Sequence, residues 1–212
     1  MIRYIYGNDL HNWPTLARSM FQDRATQFHD RLGWAVSVDA RGEERDAYDA
    51  INPLYVIWED GAGRHGGSMR FLPTTGQTMV NDHFMDLADG VRIESPFIWE
   101  CTRFCLAPRP EPRTAAALML AGGEIMTGFG VKHFVGVFDG LMQRVYRRIG
   151  ATPDVLGTKG EGRAKLCVGL WEFSTETRAR LSHGSGISEA QSKGWFQQAF
   201  GDVPKQGVSR AA

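Results

Sequence analysis

The chain lacks an excess of charge of either sign. Its 212 residues carry 24 Lys plus Arg against 24 Asp plus Glu, a formal net charge of zero. That balance gives no electrostatic pull toward nucleic acid. Long apolar runs are missing too, and no stretch approaches the roughly 20 residues of a membrane span. The opening residues, Met1-Ile2-Arg3-Tyr4-Ile5-Tyr6, contain no apolar signal-peptide region, so the expected location is the cytoplasm. Cysteine is scarce: Cys101, Cys105 and Cys167 are an odd set with no Cys-x-x-Cys pair. This argues against both a disulfide framework and a zinc site, and no metal is expected. Cys101 and Cys105 sit in a strand-like run, where a four-residue spacing puts both on one face. They read as buried structural thiols. There is no repeat, and no linker long enough to divide two domains. With 42% hydrophobic and 23% charged residues, the composition suits one globular domain over residues 1–200, followed by a frayed tail at 201–212.

What is present alternates. Asn8 to Phe28 reads as helical, with Leu16, Met20 and Phe21 as its apolar positions. Residues 35–52 are charged and broken by Gly42, a loop carrying Asp46 and Asp49. Leu54–Trp58 and Gly67–Leu72 form a hairpin through the turn Glu59-Asp60-Gly61-Ala62-Gly63. Phe97 to Leu106 is a further strand, followed by Pro108-Arg109-Pro110-Glu111-Pro112. Thr114 suits a helix N-cap for Ala115–Thr127. Lys132–Phe138 is a strand, Leu141–Ile149 a helix capped by Gly150, and Lys165–Phe173 a last strand. Beyond Ser182 the chain is rich in Ser, Gly, Gln and Lys and shows no clear element. The class is α/β, a mixed sheet flanked by helices.

The most informative residues are spread over the first half. They are Arg24-x3-Phe28, Leu32-Gly33-Trp34, Glu44-x-Asp46-x-x-Asp49, Ser68-Met69-Arg70-Phe71-Leu72-Pro73-Thr74-Thr75-Gly76, Phe84, and Trp99-Glu100-x-x-Arg103-Phe104. No one of them is specific. The ordered set resembles the acyl-homoserine-lactone synthases, the LuxI-type autoinducer synthases of quorum sensing. The resemblance implies the three-layer fold of the GCN5-related N-acetyltransferases. In that fold a central sheet splays between two neighbouring strands, here Ile98–Leu106 and Lys132–Phe138.

It also implies a reaction. The α-amine of S-adenosylmethionine (SAM), a substrate rather than a cofactor, attacks an acyl thioester. The SAM carboxylate then displaces methylthioadenosine and closes the lactone. Glu100 is the candidate base, a carboxylate inside an apolar strand where charge is expensive unless paired or functional. The alternative is an ion pair with Arg103 or Arg24. The resemblance gives the SAM side to Arg24, Phe28, Trp34, Asp46, Asp49 and Arg103, with Arg103 also near the chemistry and Arg70 in support. Carboxylates suit an ammonium and a sulfonium, a guanidinium fork suits a carboxylate, and an aromatic face suits a sulfonium or adenine. Core packing is the alternative for Phe28 and Trp34. The implied acyl side is Phe104, Met126, Gly136, Phe138, Met142 and Tyr146. Gly136 stands where relatives that prefer 3-oxo chains tend to carry Thr, so the 3-oxo group lacks a hydroxyl partner.

The donor is read from two features. Acetyltransferases of this fold cradle the coenzyme A pyrophosphate on a Gly-containing loop at a helix N-terminus. Here Pro108–Arg113 has three prolines and no glycine. Arg144, Arg147 and Arg148, with Lys132 and Lys159 possible neighbours, form a basic patch suited to acidic acyl carrier protein. A solvated helix face is the plainer account of it, and acyl-coenzyme A is the alternative donor. Two rivals remain at this stage: an N-acyltransferase using acyl-coenzyme A on another amine, and a non-catalytic module binding SAM or an acyl carrier.

Overall fold

The computed structural model describes residues 1–201, except for the side chain of Arg163; the rest of the expected tail lies outside the described residues. Seven strands form one sheet: β1 (Ile2–Tyr6), β2 (Leu54–Glu59), β3 (His65–Pro73), β4 (Ile98–Leu106), β5 (His133–Asp139), β6 (Asp154–Lys159) and β7 (Leu166–Trp171). Their order is β1-β2-β3-β4-β5-β7-β6. Every neighbouring pair is antiparallel except β4–β5, which is parallel and pairs only Ile98, Trp99 and Glu100 with His133, Phe134 and Val135. Beyond those residues the strands part. The two expected strands are thus neighbours that splay.

Side-chain alternation on β3 assigns the two faces. Met69 and Phe71 join the main core beneath helix α3 (Thr114–Phe129), while Arg70 is turned the other way toward the segment after helix α1 (Pro14–Arg24). Both faces of β3 are covered, and all its residues but Pro73 are buried. Small residues let α3 lie close to the sheet. A Cβ on Gly67 would come within 2.8 Å of Thr114 and 2.9 Å of Leu106. On the opposite face, the buried His65 ring lies 2.7 Å from Asp23 Oδ2 and 3.0 Å from Ser68 Oγ, tying α1 to β3.

Several expected boundaries shift. The helix read over 8–28 is three pieces: a 3₁₀ turn at Gly7–Asn12, α1 starting at Pro14, and a π-helical stretch at Ala25–Arg31. Pro14 lacks the N–H that a continuous helix would need there. Thr114 is the first helical residue of α3 rather than its cap, and its buried Oγ1 finds no partner among the described residues. Two strands and three helices were not anticipated: β1, β6, α2 (Met79–His83), α5 (Thr175–Ser185) and α6 (Glu189–Phe200). Helix α4 (Met142–Ile149) ends at Gly150 as expected, with φ 81°. The Ser-rich composition beyond residue 173 partly reflects caps: Ser174 Oγ accepts from Thr177 N and Ser188 Oγ from Gln191 N. Among the described residues no helix is long and apolar enough to cross a membrane.

The cysteine expectation is also corrected. Cys101 pairs with Phe71, and Cys105 with Ser68, so the register slips by one residue between them. The slip is a β-bulge at Arg103, whose φ is 52°. One extra residue reverses the alternation. Cys101 accordingly packs toward Met69 on the α3 side, and Cys105 falls on the other face near Arg24 and Asp23. Cys105 is buried and Cys101 half-buried, and burial pushes the Cys105 thiol up to about 12.

Candidate active site

The bulge decides which side chains meet. Strict alternation would send Arg103 to the α3 face, opposite Glu100 and Thr102. The left-handed turn brings it back beside them. A left-handed conformation at a residue with a Cβ costs on the order of 1–2 kcal/mol, and such strain persists where surroundings over-determine it. Here they do so through charge. Arg103 Nη2 reaches Glu44 Oε1 at 3.0 Å and Asp46 Oδ2 at 2.7 Å.

Three guanidiniums and three carboxylates interlock behind this point. Arg24 donates through Nε to Glu44 Oε2 at 2.6 Å and, as a fork, to both oxygens of Asp49 at 3.0 Å. Arg70 donates to Thr102 Oγ1 and to Asp46 and Asp49. Asp46 caps the 3₁₀ turn Ala47–Ile51, its side chain accepting from Tyr48 N and Asp49 N while Asp49 accepts from Asp46 N. That capping box fixes the loop that carries both carboxylates. Tyr55 adds a hydroxyl to Asp49 Oδ1 at 2.5 Å. Burial alone would raise the Asp49 carboxyl, but Arg24 and Arg70 more than offset it and hold the group well below the usual range.

The expected SAM-side charges are therefore brought together, but chiefly with one another. The side chains of Arg24, Arg70 and Glu44 have at most 1% exposure, so they brace the site from behind. Arg103 keeps 10% and Asp46 18%. Arg103 alone of the three arginines lines the cavities, and its buried Nε has no partner among the described residues. Glu44 belongs to the quoted motif but was given no role from the sequence. Its position two residues before Asp46 carries no signal that it joins two distant arginines, one at the end of helix α1 and one on strand β4.

Glu100 does not form the ion pair weighed from the sequence. Its carboxylate accepts instead from the backbone N–H groups of Met79 and Val80, at 3.0 and 2.5 Å, where α2 begins. Burial pushes this carboxyl up to about 7, although those two N–H groups pull it down. A group with that value exchanges protons readily at neutral pH.

Two cavities meet at the splay. The wider, about 300 Å³, lies on the Arg103 face. Trp34, Phe28, Glu100, Phe138 and Met142 are among its walls. Trp34 is 38% exposed, and its ring stacks on buried Phe28 at 5.2 Å and 7°. Phe28 thus packs in the core as well as facing the cavity, and the Arg103 guanidinium lies 5.4 Å from its ring. The narrower cavity, about 70 Å³, runs behind the sheet toward α3 and α5. Met126 and Gly136 line it. Thr102, Arg103, Phe104 and Tyr146 border both. Of the six acyl-side expectations, Phe138 and Met142 thus belong to the wider cavity alone. Gly136 has a steric reason to be glycine, since a Cβ there would lie 2.7 Å from the Cys101 carbonyl oxygen.

Arg144, Arg147 and Arg148 are all exposed on α4, and none forms an ion pair among the described residues. Lys132 stands at the opposite end of β5 and is not part of that patch. Lys159 is at the α4 end but is engaged with Asp86 at 2.6 Å.

A mixed sheet split between two parallel strands, with a buried carboxylate and an apolar channel at the split, defines an acyltransferase site. The autoinducer synthase family model matches residues 10–181. An acyl-homoserine-lactone synthase from Rhizobium etli is 42% identical over 175 residues, covering 77% of this chain and 82% of that one. The structure of a coenzyme-A-dependent acyl-homoserine lactone synthase, BjaI, with SAM and isopentyl-CoA superposes with a TM-score of 0.79 at 22% identity, covering 89% of this chain and 90% of that one. A more distant N-acetyltransferase structure from Lactobacillus plantarum shares the fold at a TM-score of 0.52 and 16% identity, covering 81% and 99%. This chain belongs to the autoinducer synthase family. It is an acyltransferase, an acyl-homoserine-lactone synthase of quorum sensing.

Proposed function

We propose that the chain acylates the α-amine of SAM from a thioester delivered by acyl carrier protein and then closes the lactone, releasing methylthioadenosine. The observation that carries this reading is the meeting of a charged, aromatic-walled cavity with an apolar one at Arg103, beside Glu100. SAM fits the first and an acyl chain the second. The BjaI structure, which holds SAM and isopentyl-CoA, supports a shared pocket of this kind.

The amine of SAM has a pKa near 8 in water. Glu100, at about 7, takes its proton as nitrogen bonds to the thioester carbon and the C–S bond breaks. Arg103 turns a guanidinium toward the SAM carboxylate. In the second step a carboxylate oxygen attacks the γ-carbon, and the sulfonium leaves as methylthioadenosine. Positioning supplies most of what that step needs, because the leaving group is already activated. Trp34 and Phe28 offer an aromatic surface to the sulfonium or adenine. No cofactor is required.

The donor assignment is supported by the free basic face of α4 and by the glycine-free segment before α3. Steady-state kinetics with one acyl group on acyl carrier protein and on coenzyme A tests it, with lactone and methylthioadenosine quantified by mass spectrometry. Carrier-protein turnover should be favoured, fall with salt, and drop in Arg144→Glu/Arg148→Glu. Preference for coenzyme A, as in BjaI, would overturn the donor assignment. Absence of lactone from either would overturn the reaction.

A further inference from the structure

One side chain in the wall of the narrow cavity is held in an unusual way. Phe173 follows β7, is half-buried, and lines the cavity with Gly122, Gly123 and Leu181. The tip of its ring enters the notch left by Gly123: a Cβ there would lie 2.0–2.3 Å from Cζ, Cε2 and Cε1 of the ring. Alanine at position 123 is therefore incompatible with the ring where it sits. Arg178 of α5 lies over the same ring, 4.8 Å from its centroid. Its guanidinium is tethered to α3 at both ends, to Glu124 Oε1 at 2.5 Å and to Thr127 Oγ1 at 3.0 Å. Thr127 in turn donates to the Gly123 carbonyl at 2.9 Å. Glu124 is 4% exposed, and a charge so buried is seldom kept without a purpose.

We propose that Phe173 is the specificity-determining stop of the acyl cavity, fixed by the Gly123 notch and the Arg178–Glu124 clamp. The inference rests on the proposed acyl role of that cavity. Gly122 and Gly123 offer an incoming chain no side chain on α3, so the ring is the obstacle its end meets. Met126 and Phe134 also line the cavity, but neither thioether nor ring is clamped as Phe173 is. The clamp, rather than general packing, sets where the chain must end.

The test is the donor-length profile of the purified full chain, measured with a ladder of saturated acyl thioesters stepped by two carbons at saturating SAM. Each methylene that a site newly buries is worth about a factor of four. Phe173→Ala should move the optimum at least one step longer and raise the long-to-short ratio of kcat/KM by about tenfold. Arg178→Ala should act in the same direction more weakly, while Phe173→Met stays near the parent profile. The KM for SAM should not change in any of them. Folded, active Phe173→Ala and Arg178→Ala enzymes with the parent profile would overturn the stop. So would a uniform loss across all donors, which marks a structural role. A parent chain that makes no lactone from any donor would bring down the functional reading itself, and is recognised before any variant is compared.

Discussion

Arg103 and Glu100 stand three residues apart on one strand and yet border the same cavity. An ordinary strand would place them on opposite faces. The left-handed turn at Arg103 removes that opposition, and the network with Glu44 and Asp46 holds it in place. The consequences that follow can each be measured.

Activity should rise as pH increases through about 7, because the basic form of Glu100 becomes populated there. The same shift acts on stability in the other direction. The folded value lies above the ordinary 4.5, so the folded state holds its proton more tightly. This contribution is fully present below about 4.5 and is lost as pH rises through about 7. Glu100→Gln should abolish the acid limb of kcat/KM and lower acylation about 10²- to 10⁴-fold, with a smaller effect on SAM affinity. Turnover within about twofold of the parent would make the residue structural.

Glu44→Ala should destabilise the protein by about 3–5 kcal/mol, since it strips a carboxylate from two buried guanidiniums. Arg24 retains Asp49, and Arg103 retains Asp46, so the fold should survive with a lower midpoint in urea. A loss below about 1 kcal/mol would show that the network tolerates the gap.

Trp34→Ala should weaken SAM binding about tenfold while leaving thermal stability almost unchanged. The indole is 38% exposed and contributes little to the core, although it covers Phe28. Trp34→Phe should recover most of the affinity. Titration calorimetry with SAM, alongside far-ultraviolet circular dichroism, separates binding from folding. Equal affinity in Trp34→Ala would remove the indole from the site.

The parent should favour acyl groups unsubstituted at C3 over 3-oxo ones, as no hydroxyl stands at position 136. Gly136→Thr should not create the opposite preference. Its Cβ would press on the Cys101 carbonyl at 2.7 Å and force β4 and β5 further apart. Lower melting temperature and reduced turnover of every donor are expected. A stable variant with a gain for 3-oxo thioesters would show that the strands can yield.

Local pattern made the hairpin of β2 and β3, the strands β4 and β5, and helices α3 and α4 legible in the sequence, because apolar period and turn residues report directly on such elements. The motif residues were legible as a set, and with them the family. Helices α5 and α6 were not, since each has few apolar anchors: Leu181 in one and Phe196 in the other are their buried hydrophobic residues. Nor was β6, an edge strand with mostly exposed residues and no alternation. What only tertiary structure decided is who pairs with whom. Glu100 stands out in the sequence as the candidate base, with an ion pair to Arg103 or Arg24 as the alternative; its partners are instead two backbone N–H groups at the start of α2, because the chain from residue 79 folds back onto β4. The resemblance gives Arg24 and Asp49 to the SAM side; once α1 and the capped turn close over the sheet, Arg24 is engaged by Glu44 and Asp49, and Asp49 also by Arg70 and Tyr55. Faces on a strand follow from spacing only while the register is unbroken. One extra residue at Arg103 exchanges Cys105 for Arg103 on the two sides, and a hydrogen-bond slip of that kind leaves no trace in composition or period.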